Sequence, residues 1–251
     1  MRNDRIDRIR ESEKKSHTEI YTNEKLYSSD SWLSKPIKTV REISELFSEY
    51  DTIRVLDLGA GVGRNSIYLA EKYKNKGCLI DCVDLLEIAI EKLNQNAAEH
   101  SVSECINGIN KTIEEYVIEP NSYDLIMAVS ALEHVESKEA FIAKLEEIKQ
   151  GIRLGGVILL VINSEIREIS AETSEKLEPQ FEVILQTMEM QKLLNEVFSG
   201  WEVIKETVAK QEYDIPRDGI TCRLSTNVVT YVGRKDIKSN MLVKNREKEF
   251  F

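Results

Sequence analysis

The chain has 251 residues, of which 41% are hydrophobic and 31% charged, a size and balance suited to one α/β domain with extensions under a solvated surface. Its net charge of −10 comes without a basic stripe, so bulk nucleic-acid binding is not expected. The start, Met1-Arg2-Asn3-Asp4-Arg5, lacks the apolar core of a secretion signal, and the longest apolar run, Val157 to Ile162, is too short to span a bilayer; a cytoplasmic location without membrane contact is expected.

Residues 1–36 are polar and charge-rich and read as an N-terminal arm or short helix. Its aromatics Tyr27 and Trp32 form either a lid over a binding site or an anchor on the domain. Ser34 and Pro36 are helix-start signals, and Ile37, Val40, Ile43, Leu46 and Phe47 recur at helical spacing to about residue 48. Strands and helices then alternate. Ile53 to Leu58 is a strand closed by a glycine loop, followed by a helix burying Ile67, Leu69, Ala70 and Tyr73. Cys78 to Val83 is the second strand, ended by Asp84, and Leu86, Ile90, Leu93 and Ala97 mark the next helix. A third strand is expected near Val102 to Ile106, then a helical turn at Ile113 to Val117, a fourth strand at Tyr123 to Val129, and a helix from Ser137 to Gly151. Gly155-Gly156 turns into a fifth strand, Val157 to Ile162.

Strands separated by helices imply right-handed crossovers and a parallel sheet. The end differs. Residues 164–182 read as an irregular insertion, 187–198 as a helix, and Trp201 to Val208 and Thr221 to Val232 as an antiparallel hairpin joined through Pro216-Arg217-Asp218-Gly219. The domain thus spans 37–234, with a charged tail over 235–251. The four cysteines (Cys78, Cys82, Cys105, Cys222) lack metal-site spacing and read as free core thiols; no metal is expected.

The glycine loop is Asp57-Leu58-Gly59-Ala60-Gly61-Val62-Gly63-Arg64-Asn65. Arg64 takes the place of the third glycine that a dinucleotide fingerprint requires. Asp57 would repel a pyrophosphate but suits a ligand bearing an ammonium group; alternatively it caps the loop. Asp84 at the end of strand two can accept hydrogen bonds from ribose hydroxyls, or is a solvated strand-end acid.

With Tyr123-Asp124-Leu125-Ile126, Leu132-Glu133-His134-Val135 and Leu154-Gly155-Gly156-Val157, the segment Val55 to Asn65 resembles the motifs of class I S-adenosylmethionine-dependent methyltransferases. Gly63-Arg64-Asn65-Ser66 and the Phe198-x-Gly200-Trp201-Glu202 turn most resemble the tellurite-resistance-type subfamily. The resemblance spans roughly 37–234. It implies a Rossmann-like, seven-stranded, mostly parallel sheet with an antiparallel C-terminal hairpin strand and helices on both faces. It further implies S-adenosyl-L-methionine as cofactor, held by Asp57, Gly59, Ala60, Gly61, Gly63, Arg64 and Asn65, with Asp84 and Leu85 at the ribose and Ala128 and Val129 at the end of strand four. Thr112 and Ile113 stand where relatives carry an adenine-contacting acid, a departure that leaves adenine recognition open. His134 is the candidate base, though a lone histidine there also serves to bond backbone. The expected partner is a small-molecule methyl acceptor, possibilities including a thiol or a soft oxyanion such as tellurite or selenite, in a monomer or homodimer. The competing classes are a cofactor-binding scaffold without turnover and a nicotinamide-dependent oxidoreductase.

Overall fold

The computed structural model describes residues 4–29, 31–217 and 219–236. The expected tail therefore lies outside the described residues from position 237 onward, as does Asp218 of the hairpin turn. Strands β1 (Ile53–Leu58), β2 (Cys78–Asp84), β3 (Ile106–Asn110), β4 (Tyr123–Val129) and β5 (Ile152–Ser170) pair in parallel, in the order β3-β2-β1-β4-β5. The sheet continues through β8 (Ile220–Arg234), antiparallel to β5, and ends on β7 (Glu202–Arg217), while the short β6 (Lys176–Leu177) pairs with β5. The mostly parallel sheet with an antiparallel C-terminal hairpin is that expected, with β6 as an addition.

The central strands are apolar on both faces because both are covered. Val55, Leu125, Met127 and Leu159 pack towards α2 (Lys38–Ser44), α3 (Ser66–Tyr73) and α4 (Glu87–Glu99), through Val40, Leu69 and Leu93. Leu56, Leu58, Ile126 and Leu160 face the other way, onto Phe141 and Leu145 of α5 (Lys138–Gly151) and Leu194 of α6 (Thr187–Val197). α5 starts at Ser137, whose hydroxyl accepts from the Ala140 amide, an N-cap that satisfies one of the helix's free donors. All four cysteines are buried and free. Among the described residues no helix is long and apolar enough to cross a membrane.

Four expectations need correction. The arm is no short helix: α1 runs Asp4–Asn23. Its polar sequence hid this, since only Ile9 and Tyr21 are buried and no apolar stripe marks a face. The third strand begins where it was expected to end, because Ser103–Cys105 forms a 3-10 turn that tucks Cys105 into the core. No helix forms at 113–117, where the chain makes a turn only. Finally, β5 starts before Gly155-Gly156 and continues through Ser170, so the first part of the supposed insertion is strand. Its outer half is mostly polar (Asn163, Ser164, Glu165, Arg167, Glu168, Ser170), with Ile166 and Ile169 the apolar exceptions, and Asn163 lines the cavity.

Candidate active site

The carboxyl ends of β1, β2 and β4 open into a cavity of about 1040 Å3, roofed by α1 and flanked by the outer ends of β5 and the β7–β8 hairpin. Its two halves have separate origins.

The first half is built on the turn after β1. The Gly59 and Ala60 amides donate to Val83 O on β2, which folds the loop back over the strand ends. Gly59 lies at φ 76, and a side chain there would meet Ala131 Cβ at 2.3 Å; Gly63, at φ 88, would meet Leu93 at 2.5 Å. Only glycine fits such positions. Asp84 follows the second strand. Its Oδ2 accepts from the Gly61 amide at 2.8 Å and its Oδ1 from the Leu86 amide at 2.9 Å, so the carboxylate is fixed on the cavity wall. A carboxylate has about four acceptor positions, which leaves about two for hydroxyls of a ligand. Burial raises the Asp84 pKa.

Asp57 sits elsewhere. It is 1% exposed, lies beneath the loop and off the cavity wall, and accepts a hydrogen bond from Ser66 Oγ at 2.6 Å. Burial pushes its pKa up to about 7, against the Ser66 hydrogen bond. Arg64 and Asn65 do line the cavity but spend their side chains on the arm. Arg64 donates to Trp32 O at 2.9 Å and stacks over the Trp32 ring, Asn65 Oδ1 accepts from the Ile37 amide, and Tyr27 donates its hydroxyl to Arg64 O. Tyr27 and Trp32 thus fasten the arm to the loop, and Trp32 also borders the cavity.

Leu85, Thr112, Ile113 and Val129 lie on the wall as expected, and the Thr112 hydroxyl accepts from the Glu115 amide. Ala128 does not: it is fully buried against the second core cluster, since alternation along β4 turns it away. Gly63 is likewise off the wall, packed between Leu93 and Ile67.

The second half is assembled from distant segments. His134, in the turn after β4, is gripped on both sides: Nδ1 lies 3.0 Å from Glu182 Oε2 and Nε2 3.2 Å from Glu13 Oε1 of α1. Its ring stacks on Phe181. Burial opposes a charge here, but Glu13, Glu182 and Glu133 outweigh it and lift the pKa to about 9. With both nitrogens facing carboxylates, the ring is an imidazolium at neutral pH and has no lone pair to offer as a base. The ligand atoms of Glu13, His134 and Glu182 lie within 4.8 Å of one another, an arrangement this ion pairing already accounts for. Glu133 is buried and accepts from the Asn163 amide, a structural role.

α1 supplies what the sequence reading missed. Arg10 bonds Glu114 at 2.9 Å and lies 3.6 Å from Glu182; His17 and Tyr21 follow along the same helix face and also line the cavity. The available signal was their spacing: positions 10, 13, 17 and 21 recur every three or four residues, the period of one helix face.

Fold order and glycine-loop geometry define the class I methyltransferase architecture. Residues 55–156 match the family model described as a methyltransferase domain. Among curated proteins it is similar to the sarcosine/dimethylglycine N-methyltransferase of Aphanothece halophytica, 26% identical over 121 residues, covering 48% of this chain and 42% of that protein. It is also similar to the ubiquinone biosynthesis O-methyltransferase of Rickettsia canadensis, 29% identical over 122 residues, covering 48% of this chain and 47% of that protein. The chain spans less than half the length of either relative. Among solved structures, TehB from Haemophilus influenzae shares the fold with a TM-score of 0.58 and 22% identity, over 80% of this chain and 62% of that one.

Proposed function

We propose that the protein is an S-adenosylmethionine-dependent methyltransferase acting on a small molecule, with residues 4–36 as a lid over the cavity. The observation that carries it is Asp84: a carboxylate pinned by two backbone amides beside a glycine loop, facing the cavity with acceptor positions left over. That chemistry fits ribose hydroxyls. Beneath the loop, the negative charge of Asp57 opposes a diphosphate and favours an ammonium group. S-adenosylmethionine has the ammonium and no phosphate, and when bound it supplies an electrophilic methyl group on a sulfonium. Loop residues Gly59, Ala60 and Gly61 present backbone to the methionine part, Leu85, Thr112 and Ile113 line the adenine side, and Val129 closes the end of β4. Arg64 and Asn65 act on the ligand through the arm they hold. The protein's own work is to align the acceptor and exclude water.

The acceptor half pairs Glu13, Glu114 and Glu182 with Arg10 and His134, which leaves no surplus positive charge to draw an anion. A neutral or amine acceptor suits that lining better than the soft oxyanion suggested by the resemblance; the relatives named above include both N- and O-methyltransferases.

Calorimetric titration with S-adenosylhomocysteine and with NADH tests the reading. The first is expected to bind and the second not. Because an ammonium stabilises the ionised Asp57, affinity should rise between pH 6 and pH 8, as the group titrates near 7. Firm NADH binding would overturn the assignment. Labelled methyl donor offered with catechol, piperidine, a thiol, selenite and tellurite then separates an enzyme from a scaffold.

A further inference from the structure

Along α1 the inward side chains come in a fixed order. Tyr21 abuts the cofactor loop: a Cβ on Gly61 would lie 2.9 Å from its hydroxyl. One turn earlier, His17 stacks on Tyr21 with ring centroids 5.4 Å apart. One turn earlier again, Glu13 reaches His134. His17 is therefore held between the loop that takes the methyl donor and the ion-paired histidine. It lines the cavity, and its Nδ1 is buried without a hydrogen-bond partner. A buried nitrogen left unpaired is costly, which points to a ligand atom as its partner.

We infer that His17, and not His134, receives the acceptor: its Nδ1 lone pair takes a hydrogen bond from an N–H or O–H on the substrate. This rests on the methyltransferase reading and adds to it the class of acceptor, a small molecule whose nucleophilic nitrogen or oxygen still carries its proton. Charge supports the assignment. Burial and the neighbouring His134 cation push the His17 pKa down to about 4, so its lone pair is free at neutral pH, whereas His134 is protonated. In the transfer the acceptor lone pair forms the new bond to the methyl carbon. The carbon–sulfur bond breaks with its electron pair left on sulfur, giving a neutral thioether, and the acceptor releases its proton to solvent once methylated, since a ring with a pKa of about 4 aligns the acceptor without retaining its proton. The ring is held by Tyr21, so the hydrogen bond fixes the direction of the attacking lone pair.

The test uses the full chain with His17→Ala, His17→Asn and His17→Gln. An asparagine amide occupies the place of Nδ1, a glutamine amide that of Nε2. With labelled methyl donor and catechol or piperidine, His17→Ala should lose about tenfold in kcat, the size of one hydrogen bond, while S-adenosylhomocysteine affinity stays within about twofold. His17→Asn should recover most of the rate and His17→Gln little. Wild-type turnover by His17→Ala, or transfer confined to selenite and tellurite, which need no proton removed, overturns the proposal. If the cofactor product binds but no probe is methylated, the nitrogen-15 signal of His17 Nδ1 decides. A shift on adding catechol or piperidine supports the assignment, and an unmoved signal ends it. Failure of the wild type to bind S-adenosylhomocysteine removes the methyltransferase reading and this inference with it, an outcome distinct from indifference to His17 alone.

Discussion

On the β1–β3 side of the cavity the wall is mostly backbone. Residues 57–63 and 84–86 hold one another by amide bonds to Val83 O and to Asp84, and the side chains that matter most are those that are absent, at Gly59 and Gly61. On the other side charged side chains from α1, Glu114 and the turn after β4 line the wall, joined by ion pairs to one another and to Glu182. A backbone wall presents one arrangement that few substitutions can adjust, as suits a ligand common to many proteins. A side-chain wall is open to change one residue at a time, as suits an acceptor that differs between relatives.

Four substitutions test this division. Gly59→Ala should have the largest effect, because it combines an unfavourable φ with a clash against Ala131; a loss of about 3 kcal/mol is expected, read as a lowered melting temperature and lost S-adenosylhomocysteine binding. Asp84→Ala should lower the melting temperature less than Gly59→Ala does, by freeing the Gly61 and Leu86 amides, and weaken that binding by about 1–3 kcal/mol in calorimetry. An equal loss from Glu182→Gln would break the division, since that residue belongs to the acceptor side. Glu13→Gln should cost least, about 1 kcal/mol. His134 has a folded pKa raised from 6.5 to about 9, so its ion pairing contributes fully below pH 6.5 and is lost as pH rises through 9. The variant should therefore melt below wild type at pH 6 and converge with it above pH 9, and a constant difference across that range would count against the imidazolium.

The same division explains what could be read from the residues in order. The β1–β3 side was legible because a contiguous loop and one strand end make it, and the backbone conformations required leave glycines as their trace. Asp57 was legible as an acid but not as a buried one, since burial depends on α3 and Ser66 closing over it. Ala128 was assigned to the wall because strand ends usually face ligands, while the alternation of β4 decides which of two neighbours does so. Glu13, His17 and Glu182 were not legible as a group. They meet only once α1 lies across the sheet edge, and α1 offers no apolar stripe to announce that docking. The outer half of β5 escaped notice for a related reason: it is mostly polar, with only Ile166 and Ile169 apolar, so no apolar run marks it as strand.

That strand has a consequence for traffic. β5 is one unbroken element of 19 residues, anchored by β4 at its base and by β8 along its length, and a bulge between Ser164 and Arg167 bends its upper part. The rim it carries cannot swing without shearing the central sheet. α1 has no such footing: Ile9 and Tyr21 are its only buried residues, and Arg5, Arg10 and Glu13 tie it down through ion pairs that salt screens. One side of the chamber is masonry and the other a latch, and added salt is expected to loosen the second before the first.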